Sequence, residues 1–282
     1  MNVQFSQRIG VSTLALREMP LEEAIDAVYE NGFRVFELVP HLYGGPESID
    51  FNTRKSLKER LSGFEIATVH SSGAKLTDGR GVDIASSEDL HRRQSVEHYL
   101  AHIQLALDLG AKLVTLHPGV GDDDSTPDQV REANLMFAEA ALEKIKDSDL
   151  QIGYEYFDGE LTEEIGNPKF GILFDVGHAA LRFEGDPNPN ILRSLEELFP
   201  HIIQFHVHGV RVSPQGEKED HNSLQVNNGI DYTKVIEAIK RYGFLGPLIF
   251  EIGIREEGQK ISENLKDAVY ARGELVKMWE SL

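Results

Sequence analysis

Cysteine is absent from the sequence, which excludes a disulfide framework and any thiolate metal site. Long apolar runs are missing too: no segment approaches the roughly 18 uninterrupted apolar residues of a membrane span. The N-terminal MNVQFSQRIGVST has no basic region followed by a long apolar stretch. Neither a signal peptide nor a membrane association is therefore expected, and a cytoplasmic location fits. Basic charge is scarce, with 28 Lys and Arg against 47 Asp and Glu, a formal net charge of −19. A field of that sign repels phosphate backbones, and the one basic cluster of note, His91-Arg92-Arg93, is small, so nucleic acid is a disfavoured partner. No G-x-G-x-x-G turn marks an open dinucleotide-binding sheet. Gly119 and Gly121 lack the Lys-Ser/Thr of a phosphate loop, and no Ser-His-Asp set stands out. The lone tryptophan, Trp279, suits packing or a contact between copies, which leaves a homo-oligomer open.

What is present is a regular alternation of strand-like and helix-like segments. Apolar strands are expected at 8–13, 34–39, 65–70, 112–117, 151–156, 170–175, 202–207 and 247–252. Between them lie helical patterns. The first follows Pro20, with Leu21, Ala24, Ile25 and Val28 on one face and Gly32 as its stop. Others run over 50–62, 87–110, 126–147, 190–199, 231–242 and 261–280. The long helix at 87–110 carries Val96, Leu100, Ile103 and Leu107 and stops at Gly110; Thr126 caps the next, with Pro127 behind it, and Asp231 opens the one at 231–242. The fifth unit has room only for a short helix before Pro168. Eight strand-then-helix units without a linker predict one domain over 1–282, a single (β/α)8 TIM barrel of the α/β class.

Six successive strands then share one peculiarity. The third ends in His70, the fourth in His117, the fifth in Glu155 and the sixth in Asp175, with His178 just beyond. The seventh ends in His206, with His208 following, and the eighth in Glu251; the loop after the seventh adds Glu219-Asp220-His221. In a barrel the C-terminal strand ends surround one mouth, where active sites lie. Imidazoles and carboxylates are the donors that Zn²⁺, Mn²⁺ and similar ions accept when thiolates are lacking. Crowded carboxylates repel each other unless a cation sits among them, so a divalent metal explains both the residue types and their convergence.

The set His70, His117-Pro118-Gly119, Glu155, Asp175-x-x-His178, His206, the 219–221 loop and Glu251 resembles the xylose isomerase-like TIM barrels, which include endonuclease IV and sugar isomerases and epimerases such as D-tagatose 3-epimerase. The likeness extends to the stretch 92–119. The resemblance implies one of two arrangements. In the epimerase pattern Glu155, Asp175, His206 and Glu251 hold one divalent ion (Mn, Mg or Co), Glu155 and Glu251 form the catalytic acid/base pair, and His178 contacts the sugar. In the endonuclease IV pattern three zinc ions also recruit His70, His117, His178 and an acidic-x-His pair, here Glu219 and His221, with Asp220 as a competing acid. His208 competes with His206, which lies nearer the end of its apolar run.

The favoured reading is a sugar isomerase or epimerase that moves a proton beside a carbonyl through an enediolate, acting on a sugar or sugar phosphate. The alternatives are a zinc phosphodiesterase acting on abasic DNA and a metal-bearing sugar binder without turnover. DNA is disfavoured by the net charge and by a loop at 71–79 without an aromatic wedge. Glu37 is expected to bind a sugar hydroxyl or to pair with a neighbouring helix; His208 is a further substrate candidate. Arg211 reads either as a ligand for a sugar oxygen or phosphate or as an exposed loop residue. Asp122-Asp123-Asp124 reads as a solvated run complementing the next helix N-terminus, and His41, His91, His98, His102 and His201 as surface groups.

Overall fold

Short apolar runs become strands here because β-branched and aromatic residues are packed on both faces of a parallel sheet, which removes the need for polar alternation. The computed structural model describes residues 4–71, 73–76, 78–182, 185–212, 217–225, 229–253 and 261–282. In chain order the main elements are β1 (Ile9–Ser12), α1 (Leu21–Glu30), β2 (Val35–Leu38), α2 (Phe51–Leu61), β3 (Ile66–His70) and α3 (Asp89–Leu109). There follow β4 (Leu113–Leu116), α4 (Pro127–Ile145), β5 (Gln151–Glu155), α5 (Gly159–Ile165), β6 (Phe170–Asp175), α6 (Val176–Leu181) and α7 (Asn188–Leu198). The chain ends with β7 (Ile202–Val207), β8 (Gly209–Val212), β9 (Lys218–Asn222), α8 (Tyr232–Arg241), β10 (Leu248–Phe250) and α9 (Ile261–Ser281). Eight of the strands close a barrel in the order β1-β10-β7-β6-β5-β4-β3-β2, the (β/α)8 fold expected; β8 and β9 form a separate antiparallel hairpin. Residues 72 and 77 of the loop at 71–79 lie outside the described residues. Among the described residues no helix is long and apolar enough to cross a membrane.

Two compact units make up the chain. One comprises Met1–Glu37, Gly63–Ile66 and Phe174–Leu282; the other comprises Leu38–Ser62 and Ala67–Leu173. In the first, β1 pairs with β2 and β10, and β10 with β7, all parallel, in a register that sets Ser12 opposite Glu37 and Ile249 opposite His206. Side chains alternate along a strand, so Gln204 and His206 share one face of β7, while Phe205 and Val207 take the other. All four are buried to within 1% exposure, which is why the polar pair must find partners inside. In the second unit β3, β4 and β5 pair in parallel, and β5 pairs with β6, in a ladder that includes Glu155 opposite Leu173.

The helix ends follow their local chemistry. Thr126 caps α4 in a capping box with Gln129, and Gly110 ends α3 in the left-handed conformation at φ 73°. The buried face of α3 includes two of its histidines, His91 and His102. Ser95, Tyr99, His102, Ile103, Ala106 and Leu109 are buried, whereas Val96, Leu100 and Leu107 are only half-buried. His91 and His102 are therefore not surface groups. Each imidazole bonds a nearby carbonyl, His91 that of Gly81 at 2.8 Å and His102 that of His98 at 3.0 Å. Such local partners let a polar ring lie on the packed face, and burial pushes the His102 pKa down to about 3. Asp122 also departs from expectation: its carboxylate accepts from Ser86, from the Ser87 hydroxyl and from the Ser87 amide at 2.6 Å, instead of serving the next helix.

The turn after β4 is clamped by one side chain. Asn134, 3% exposed on α4, accepts from the Gly119 amide at 2.9 Å and donates to the Gly119 carbonyl at 2.9 Å and the Val130 carbonyl at 2.8 Å. Asn134→Ala is expected to lower the unfolding free energy by about 1–3 kcal/mol, because buried backbone groups lose their partner. Urea denaturation checks this, and an unchanged midpoint would show that the clamp carries no weight.

Candidate functional site

The first unit gathers its polar side chains around one imidazole. His206 is fully buried, as are Glu37 and Asp175, and Glu251, just past β10, is 1% exposed. The Nε2 atom of His206 lies 3.1 Å from Glu37 Oε2, an oxygen that also accepts from Gln204 Nε2 at 2.7 Å. Its Nδ1 atom lies 3.1 Å from Glu251 Oε2 and 3.7 Å from Asp175 Oδ2. Burial opposes charge on this ring, but Glu37 and Glu251, with hydrogen bonds to Asp175 and Glu251, outweigh it and raise its pKa well above the usual value. Asp175 is the mirror case. Burial alone would raise its pKa, yet His208 and His178 and the hydrogen bonds from His206 and His208 hold it well below the carboxylate range.

His208 answers to different partners. Its Nδ1 atom accepts the His221 amide hydrogen at 2.8 Å, so the ring proton resides on Nε2 and is donated to Asp175 Oδ1 at 3.0 Å. Both nitrogens are thus committed within the protein. The Tyr232 hydroxyl donates to the His208 carbonyl at 2.7 Å and fixes the backbone. The ring also packs so close to Gly177 that a Cβ there would lie 1.9 Å from His208 Cε1, which explains glycine inside Asp-Val-Gly-His.

The β8–β9 hairpin delivers His221. Its ring stacks on His208 at 4.4 Å between centroids, its Nε2 lies 3.1 Å from Glu251 Oε2 and its Nδ1 3.1 Å from Asp220 Oδ1. Burial lowers the pKa of this ring, but hydrogen bonds to Asp220 and Glu251 win and bring it to about 9. His221 adopts φ 52°, rare for a non-glycine residue and a mark of backbone held by its surroundings. His178 opens toward the same group: its amide donates to Asp175 Oδ1 at 2.7 Å and its Nε2 lies 3.4 Å from Asp220 Oδ2.

In the second unit, His70 and His117 converge on one carboxylate. Their Nε2 atoms are 3.1 Å apart and lie 3.1 and 3.5 Å from Glu155 Oε2. Two imidazole nitrogens and a carboxylate oxygen within 4.8 Å of one another form a donor set of the kind that holds a divalent cation.

Most of the expected site residues therefore fall into these two groups. Arg211 and Glu219 do not. They pair with each other on the exposed hairpin at 2.5 and 2.9 Å, and the acid beside His178 and His221 is Asp220. Glu37 bonds Gln204 and His206. Gln204 and Tyr232 were not singled out in the sequence; the position of Gln204, two residues before His206 on one strand, was the available signal for it.

A divalent cation fits the His206 group by its chemistry. With Nε2–H donated to Glu37, Nδ1 faces Asp175 and Glu251, an N,O,O donor set backed by a buried carboxylate. The charge that raised ring pKa values supply in the protein alone is what an ion would supply in their place.

A family model described as xylose isomerase-like TIM barrel matches residues 25–270. MJ1311, an uncharacterized protein of Methanocaldococcus jannaschii, is 25% identical over 94% of this chain and 87% of its own length. Among solved structures, a D-tagatose 3-epimerase-like protein superposes with a TM-score of 0.73 at 22% identity, over 97% of this chain and 98% of that one. The IolI protein with a bound zinc atom reaches a TM-score of 0.77 at 14% identity, over 98% of this chain and all of its own. These structural likenesses are likenesses of fold.

The raised pKa of His221 fixes a direction for stability against pH. A ring whose folded pKa is about 9 contributes stability that is complete below its unfolded value, near 6.5, and lost as pH rises through about 9. His206 acts in the same sense. Chelator-treated protein is expected to lose urea resistance from pH 6.5 to 9.5, and His221→Ala to flatten part of the slope. Resistance that is constant or rising over that range would contradict these electrostatics.

Proposed function

Because the chain belongs to the xylose isomerase-like TIM barrel family, we propose that it is a divalent-metal-dependent isomerase or epimerase of sugars or sugar phosphates. The observation that carries this reading is the buried group of His206, Asp175 and Glu251 with Glu37 behind the imidazole. A D-tagatose 3-epimerase-like protein among the structural neighbours supports the choice of substrate class. Asp175, His206 and Glu251 are the residues that hold the ion, with Glu155 as the fourth donor that the sequence resemblance implies. When bound, the ion polarises the carbonyl and hydroxyl oxygens of the sugar and so acidifies the carbon between them.

The remaining chemistry belongs to side chains. Glu251 takes or returns a proton of the substrate, and the sequence resemblance implies Glu155 as the second acid/base. His221 Nε2, 3.1 Å from Glu251 Oε2, holds the orientation of that carboxylate. His208 donates to Asp175 and thereby fixes which oxygen faces His206. His178, part-exposed beside Asp175 and Asp220, is the side chain assigned to a sugar hydroxyl in this reading.

One observation favours a second reading, a multinuclear zinc phosphodiesterase: the His70, His117 and Glu155 donor set exceeds what a single ion needs. The net charge of −19 speaks against a polyanionic substrate.

Incubation with a divalent metal and a panel of ketoses and their phosphates in heavy water distinguishes the two. Deuterium is expected at the carbon beside the carbonyl of at least one sugar, and Glu251→Gln is expected to slow its uptake by about 10²-fold or more. No exchange on any sugar, together with cleavage of abasic DNA, would replace the isomerase by the phosphodiesterase.

A further inference from the structure

Arg8 is a charged side chain that the proposed chemistry does not use. It ends the turn before β1 and is 3% exposed, yet no carboxylate lies within ion-pair distance among the described residues. Its guanidinium donates to the Phe244 carbonyl through Nη1, and Nε is buried with no hydrogen-bond acceptor. Two aromatic rings stacked on each other at 4.3 Å lie beside it, Phe5 at 5.1 Å and Trp279 at 5.2 Å from the guanidinium carbon. Cation–π attraction offsets part of the desolvation, but one carbonyl does not serve five N–H donors. Burial accordingly pulls the Arg8 pKa down.

This cation lines a cavity of about 680 Å³ shared with Ser6, Lys240, Trp279 and Glu280. Lys240 adds a second positive group: its Nζ donates to the Trp279 carbonyl at 2.8 Å and lies 5.3 Å from the Trp279 ring. Glu280 is exposed on the rim, and no ion pair joins it to Arg8. Arginine's planar donor fork matches an oxyanion, and a volume in the range of small-molecule pockets exceeds what a bare ion needs. The aromatic walls suit the body of an organic ligand.

We propose that this cavity, formed by the turn before β1, α8 and α9, is a binding site for a phosphate group, free or carried on a small organic molecule, with Arg8 as its principal donor and Lys240 as its second. The site is independent of the metal chemistry proposed above, since none of its residues belongs to the His206 group.

Trp279 is the only tryptophan of the chain, so its fluorescence reports this cavity alone. The full-length protein is titrated with inorganic phosphate and with glycerol 3-phosphate, against chloride at matched ionic strength. A saturable change in emission is expected, with affinity weakened about tenfold or more in Arg8→Gln and in Lys240→Met, as loss of a charge-assisted hydrogen bond requires. Arg8→Lys is expected to retain part of the response. Tighter binding of the ester than of inorganic phosphate identifies a phosphorylated small molecule; the reverse order identifies the free ion. No saturable change in the unmodified protein, or equal affinity in the variants, overturns the proposal. Should Arg8→Gln fail to fold, unchanged affinity in both Lys240→Met and Arg8→Lys overturns it equally.

Discussion

Three carboxylates and an imidazole buried together define what the rest of the first unit has to do. Glu37, Asp175 and Glu251 would repel one another without His206 among them, and each is removed from water. Positive charge among them relieves that repulsion. In the protein alone it comes from protonated rings, which is why His206 and His221 are held above their usual pKa. A divalent ion is the other way to meet the same requirement.

The supporting residues follow from that requirement. Gln204 and His206 both reach Glu37 Oε2 because they alternate onto one face of β7 and Glu37 stands on β2. His208, although two residues from His206, is turned over to Asp175 and to the His221 amide, so the two imidazoles have distinct work despite their proximity. Gly177 belongs to the same arrangement, since any side chain there would enter the His208 ring. Such mutual constraint is what pre-organised sites require of the residues behind them.

Much of this was legible in the sequence. Six successive strands, the third to the eighth, were expected to end where an apolar run met a His, Glu or Asp, so His70, His117, Glu155, Asp175, His206 and Glu251 could be assigned to strand ends from hydrophobic patterning. The partners of each ring could not, because hydrogen bonding depends on register and rotamer, which no apolar pattern encodes. The β8–β9 hairpin was missed for a related reason: GVRV and KEDHN are short, and KEDHN has no apolar residue. There Glu219 and His221 are two apart and would share a face in a regular strand, but φ 52° at His221 breaks the alternation and Asp220 becomes its acid. His91 and His102 show the same limit on α3, where a nearby carbonyl makes a buried imidazole acceptable. Arg8 was not noticed at all, since an arginine beside an apolar strand gives no hint of its burial.

The claim on which the functional reading rests is that the buried carboxylates and His206 hold a divalent cation. Elemental analysis of the purified, untagged protein tests it most directly. A divalent ion in stoichiometric amount, lost in Asp175→Ala, is the expected result. A chain that carries no such ion and takes none up on dialysis, or an Asp175→Ala chain that retains the full complement, would contradict it.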